Sequence, residues 1–263
     1  MLTARSDSRL FLVVAVTIVG LAWSGIVLWG SSPYATYLHH DALGSVGSPF
    51  SERFGLRLVV FVCAWLLMTV AMMLPTSLPL FSLFRTIISA RQNRGELSLL
   101  LIAGYLSVWL MFGVAAYAAD LGVHSLVTTV PWLNDRSWLI TAAILIGAGV
   151  YQFTPLKYLC LDKCRSPYSF IMSHWHGRNA REEAVGLGVA HGIFCVGCCW
   201  TLMLLMFAIG IGSVVWMLGL AGVMGIEKNF SWGRRLSPSL GLLLVVAGLT
   251  VAVVGGPAGA CAC

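Results

Sequence analysis

The segment His191-Gly-Ile-Phe-Cys195-Val-Gly-Cys198-Cys199-Trp200 sets one histidine and three cysteines in an apolar run. On a helix turning about 100° per residue, His191, Cys195 and Cys198 fall within roughly 60° of one another, and Cys199 lies roughly 40° further round. Positions i, i+4, i+7 and i+8 therefore form one stripe of soft donors. Thiolates and thioethers favour Cu(I), zinc or iron–sulfur centres. An ionised thiol in an apolar interior is costly without a nearby cation, and a metal supplies one. The stripe rises about 12 Å at about 1.5 Å per residue, so a single ion cannot bind all four donors. It could take His191 with Cys195, or Cys195 with Cys198 or Cys199, and complete its shell from another helix. The same residues also admit packing cysteines with a hydrogen-bonded interior histidine, or thiol redox chemistry.

Other donors lie elsewhere in the chain. Trp65, Met68 and Met72 share a helical face, with Met73 beside it, and Met203 and Met206 continue the cysteine helix on a nearby arc. Met68 and Met72 are candidate ligands if they face Cys195, and a packing stripe otherwise. Cys160 and Cys164 are i, i+4 and share a face if the helix continues past Pro155, as thiols that could receive or release a soft metal. His174 and His176 follow in a pattern only loosely like a zinc site. Glu227-Lys228 reads most simply as a snorkelling pair at a membrane interface. His39-His40-Asp41 and the terminal Cys261 and Cys263 could bind a metal weakly. Hydrolytic signatures such as Gly-x-Ser-x-Gly or His-Glu-x-x-His are not present.

The elements that must position these groups are membrane helices. The chain has 263 residues, 59% hydrophobic and only 10% charged, against about a quarter charged in a soluble domain. Mean hydropathy is +0.88. Seven apolar stretches, about 10–30, 57–84, 97–119, 138–156, 184–206, 208–225 and 238–256, predict an all-α polytopic transmembrane bundle forming a single membrane-embedded domain over 1–263. The first follows Arg5 and Arg9 and reads as a signal anchor, since its apolar run exceeds a signal peptide's. A tight turn near Gly210 and Gly212 separates the fifth stretch from the sixth. Pro75 and Pro79 predict a bend or break in the second.

Charge sets the orientation. With the N-terminus inside, the inner segments hold Arg5, Arg9, Arg85, Arg91, Arg94, Lys157, Lys163, Arg165, Arg178, Arg181, Lys228, Arg234 and Arg235. Only Arg53, Arg57 and Arg136 fall outside. This asymmetry obeys the positive-inside rule with the C-terminus outside. The net charge of +6 belongs to these loops, and no basic stripe interleaved with aromatics suggests nucleic acid.

Several blocks together resemble a bacterial family of metal-binding integral membrane proteins of unknown function. They are Ala71-Met72-Met73-Leu74-Pro75, Gly149-Val-Tyr151-Gln152-Phe-Thr154-Pro155-Leu-Lys157, Cys160, Cys164-Arg165-Ser166-Pro167, the His191–Trp200 block with Leu202-Met203, and Glu227-Lys228. The resemblance runs from the second span to the sixth. It implies a multi-pass bacterial inner-membrane protein with a metal site, and it implies no reaction. His39, His40 and the terminal Cys-Ala-Cys lie outside the pattern.

The leading expectation is a soft-metal protein, with copper first and zinc or iron as alternatives. His191, Cys195 and Cys198 are the core ligands, Cys199, Met72 and Met68 are candidates, and Cys160 and Cys164 form an inner-side relay. Its task is metal handling: transport, or delivery to a membrane or periplasmic cuproprotein, with a metallochaperone as a further partner and the oligomeric state open. The alternatives are a membrane redox enzyme using thiols or a metal, and a structural or assembly subunit of a membrane complex.

Overall fold

The computed structural model describes residues 2–30, 52–136, 138–209 and 214–255. His39, His40, Asp41, Gly210, Gly212, Cys261 and Cys263 lie outside them. The described chain is all-α: α1 (Leu2–Gly30), α2 (Glu52–Ile87), α3 (Arg94–Thr129), α4 (Pro131–Asn134), α5 (Trp138–Tyr151), α6 (Pro155–Arg165), α7 (Pro167–His174), α8 (Ala180–Ile209), α9 (Val214–Asn229) and α10 (Leu236–Val254), with a 3₁₀ turn at Gly233–Arg235.

Among the described residues, five helices are long and apolar enough to cross a membrane: those holding Leu10–Trp29, Leu58–Ile87, Arg94–Thr129, Ala180–Met206 and Gly233–Val254. The expected fourth span is instead a pair, α5 and α6, bent by 63°, which counts as a sixth crossing if taken as one broken span. The expected sixth span, 208–225, appears as α9, which has 16 residues and starts and ends some residues later than expected. Pro75 and Pro79 lie within an unbroken α2. Proline at 75 cannot donate to the carbonyl of Ala71, and the indole of Trp23 on α1 donates to that carbonyl instead, at 3.2 Å.

The core sits around α8, whose span is 56% buried, against 17% for α1 and 22% for the last helix. Small residues let its neighbour α3 approach backbone to backbone. A Cβ on Gly104 would lie 2.5 Å from the Val185 carbonyl oxygen, and one on Gly188 would collide with that of Leu101. Such contacts are how helices gain packing where lipid removes the hydrophobic drive. The outward faces are apolar: Val13, Leu21, Leu28, Met111, Leu242 and Val253 are all exposed. That is the reverse of a water-soluble surface and compatible with a lipid solvent.

Candidate metal centre

The bend between α5 and α6 is built locally by the Tyr-Gln-x-Thr-Pro-Leu-Lys block. Thr154 is the N-cap of α6, accepting from the Lys157 amide at 3.3 Å, and Pro155 occupies the first helical turn, where its missing N–H costs nothing. The hydroxyl of Tyr151, just before the bend, donates to the Gly197 carbonyl on α8. The lack of a side chain at Gly197 then matters: a Cβ there would lie 2.6 Å from Cys160 Sγ. So α6 is turned back against the middle of α8, and its thiols come with it.

Cys195, Cys198 and Cys199 are all buried in the core. Cys198 and Cys199 donate to the Cys195 carbonyl at 3.1 and 2.9 Å, which folds both sulfurs back along the helix. Cys198 and Cys164 of α6 are electrostatic neighbours. Met73 on α2 brings its Sδ to 3.8 Å from Cys199 Sγ. On the other side, the Lys228 Nζ of α9 lies 3.0 Å from Cys195 Sγ. Tyr105 of α3 exchanges a 3.2 Å hydrogen bond with the same sulfur. Five helices thus meet at one group of sulfur atoms.

The sequence-expected donors are distributed unevenly over this geometry. The three α8 cysteines and Cys164 are together, and Cys160 packs behind them on Gly197. Met68 and Met72 are buried, but the thioether on the thiols is that of Met73. His191 shares the face but not a direct contact with sulfur. Its Nε2 is 3.2 Å from Ser77 Oγ, Ser77 donates to the Tyr105 hydroxyl at 3.3 Å, and Tyr105 reaches Cys195. Its ring stacks on Tyr105 at 5.6 Å, and its Nδ1 is buried without a hydrogen-bond partner. Among the described residues, no three His, Cys, Asp or Glu side chains already stand in ion-binding geometry. The local reason is visible: the α8 thiols are turned to a backbone carbonyl, and the Cys195 sulfur is occupied by Lys228 and Tyr105.

Glu227-Lys228 corrects the snorkelling expectation. Both are buried and bond to different partners. Lys157, fully buried, donates to Glu227 Oε1 and Oε2 at 2.8 and 3.0 Å and to Gln152 Oε1. Ser237 adds a 2.6 Å bond to the same carboxylate. Arg165 donates to the Glu227 carbonyl at 2.7 Å. The adjacency of an acid and a base was visible in the sequence. Their partners, far away in the chain, were not, and Tyr105, Ser77 and Thr76 carried no signal at all.

A family model described as PpoB2, copper chaperone, covers residues 62–251. No curated protein and no solved structure matches the chain. The family match bears on copper, and nothing in it speaks for zinc or iron.

Proposed function

The chain belongs to the PpoB2 copper-chaperone family, and from that premise we propose that it is a multi-pass inner-membrane protein that carries Cu(I) on its buried sulfur cluster and hands it to a cuproprotein. The observation that carries this reading is the burial of Cys195, Cys198 and Cys199 on one stretch of α8, with the Met73 Sδ 3.8 Å from Cys199 Sγ. Soft sulfur donors suit Cu(I), and transfer between chaperone and client requires donors that can be exchanged one at a time.

Cys195, Cys198 and Cys199 are the proposed ligands, completed by Cys164 and by Met73 rather than Met72 or Met68. Rotation of the Cys198 and Cys199 side chains away from the Cys195 carbonyl would turn their sulfurs to the ion. Cys164 is the least buried member of the group. It and Cys160 are the proposed point of entry or exit at the end of α6, on the side that Lys163 and Arg165 assign to the cytoplasm. His191 supports the site through Ser77 and Tyr105. Copper is the cargo in this scheme and passes by ligand exchange without a change in its charge.

Metal analysis tests the proposal. Full-length protein expressed with copper and purified in detergent should hold copper, and the Cys195→Ala/Cys198→Ala variant should lose it while eluting as the same folded species. Equal, near-zero copper in both proteins overturns the reading. Alkylation trapping adds a second readout: copper delivery leaves the cysteines metal-protected and reduced, whereas thiols found oxidised would favour a redox enzyme.

A further inference from the structure

One buried nitrogen near the sulfur cluster carries a lone pair that nothing meets. Ser77 donates its hydroxyl proton to Tyr105, so toward His191 it can only accept. The 3.2 Å contact is therefore a bond from His191 Nε2–H. In the neutral ring the lone pair then sits on Nδ1, which is buried without a hydrogen-bond partner. A buried acceptor in that state is unfavourable and marks a place for a ligand. A second imidazole packs against the same aromatic ring. His174 ends α7 and is half-buried. Its Nδ1 is 2.9 Å from the Phe170 carbonyl. A carbonyl only accepts, so Nδ1 carries the proton and Nε2 the lone pair. An imidazole held to a backbone carbonyl in this way is oriented as metal-binding histidines are. The Phe170 ring stacks on His174 at 4.5 Å and meets His191 edge-on at 5.8 Å. From His191, the stacked Tyr105 ring leads to Cys195, about one turn further along α8.

We propose that His174 and His191 form a two-step relay for Cu(I) between the inner face and the sulfur cluster, with Phe170 as the ring the ion passes. This rests on the copper reading above. Arg178 and Arg181 follow His174 closely and put its end of α7 on the cytoplasmic side. The cluster then has a nitrogen approach beside the thiol approach at Cys164. Imidazole nitrogen suits copper. On passage, the copper–nitrogen bond to His174 Nε2 breaks and one to His191 Nδ1 forms. Both donors are lone pairs of neutral rings, so the step displaces no proton and moves no electron. The aromatic faces of Phe170 and Tyr105 favour a cation along the way. Neutral donors leave the ion's charge uncompensated in an apolar interior, so the ion does not rest on them. The relay sets how fast copper moves, and the sulfur cluster sets how much the protein keeps.

Loading kinetics separate passage from storage. Metal-free, reduced full-length protein in detergent is mixed without oxygen with a coloured Cu(I)–chelator complex. The loss of colour gives both the loading rate and the final copper content. His174→Ala removes the outer nitrogen. His191→Gln keeps a donor for Ser77 and removes the imidazole Nδ1. Each should slow loading by about tenfold or more, with final copper equal to wild type. His176→Ala, at an exposed imidazole two residues past His174, should load within about threefold of wild type. Wild-type speed in either relay variant overturns the proposal, and so does equal slowing in His176→Ala. A measurement on the wild type stands independently of how the variants fold. The chain has six histidines, so selective ¹⁵N-histidine labelling gives a short list of ring signals. Cu(I) added beyond what the sulfur cluster takes up should shift or broaden the signals of His174 Nε2 and His191 Nδ1. Both signals unmoved in copper-loaded protein removes the relay alone. A wild type that takes up no copper removes the copper reading beneath it.

Discussion

At the residue scale, the smallest side chain near the cluster is the most informative to change. Gly197 lets Cys160 Sγ sit where a Cβ would lie 2.6 Å away. Gly197→Ala should push α6 outward, at an overpacking cost of about 1–3 kcal/mol, and draw Cys164 away from Cys198. Thermal unfolding in detergent should show a lower midpoint, and copper content should fall with it. Gly186→Ala, about three turns nearer the start of α8 and with nothing within 4 Å of the added carbon, should cost nothing, since alanine is the better helix former. The cysteine arc itself was legible, because helical periodicity says which residues share a face. It does not say what the face meets. His191 therefore reaches Ser77 rather than sulfur, and the thioether belongs to Met73, one position round from the arc that favoured Met72.

At the element scale, the bend between α5 and α6 depends on a charge pair that links segments 70 residues apart. Lys157 is the third residue of α6 and is drawn inward by Glu227 of α9, with Gln152 and Ser237 closing the remaining bonds. Lys157→Met should leave the carboxylate buried and unpaired, at a cost of about 3–5 kcal/mol. The paired Lys157→Met/Glu227→Leu variant should recover most of that loss, because burying two apolar groups avoids the desolvation of both charges. Unfolding midpoints of the single and double variants check the difference, and a double variant no better than the single would count against the pair as the cause. The seven-residue block from Tyr151 to Lys157 stood out as a pattern in the sequence, and Pro155 marked a boundary. That it turns the chain by 63° and buries a lysine depends on α8 and α9, which local propensity does not contain. The same limit explains why Lys157 and Lys228 read as loop cations.

At the scale of the whole molecule, the apolar composition and the all-α class were plain from the sequence, because a chain this poor in charge cannot cover itself in water. The number of crossings was not, because two of the seven apolar runs are interrupted or short. At about 1.5 Å per residue, the 16 residues of α9 reach about 24 Å, less than the roughly 30 Å of a hydrocarbon core. Contacts at one end of the bundle bear on whether it crosses. Arg234, just after α9, pairs with Asp162 of α6 at 3.0 Å, and Arg165 donates to the carbonyls of Glu227 and Ser231. The start of α8 is tied to the start of α3 by the Arg181–Glu96 pair at 2.7 Å. The end of α9 is therefore level with the end of α6, among the basic residues that the positive-inside rule assigns to the cytoplasm. If α8 leaves that side and α9 returns to it, α10 must cross once more and the chain must end outside. A membrane-impermeant maleimide applied to intact cells should then label Cys261 or Cys263 in the wild type and lose that signal in a Cys261→Ser/Cys263→Ser variant. Labelling that appears only after the membrane is permeabilised would place the terminus inside, remove α9 as a crossing, and put Lys228 at the opposite face from the one the charge distribution assigns.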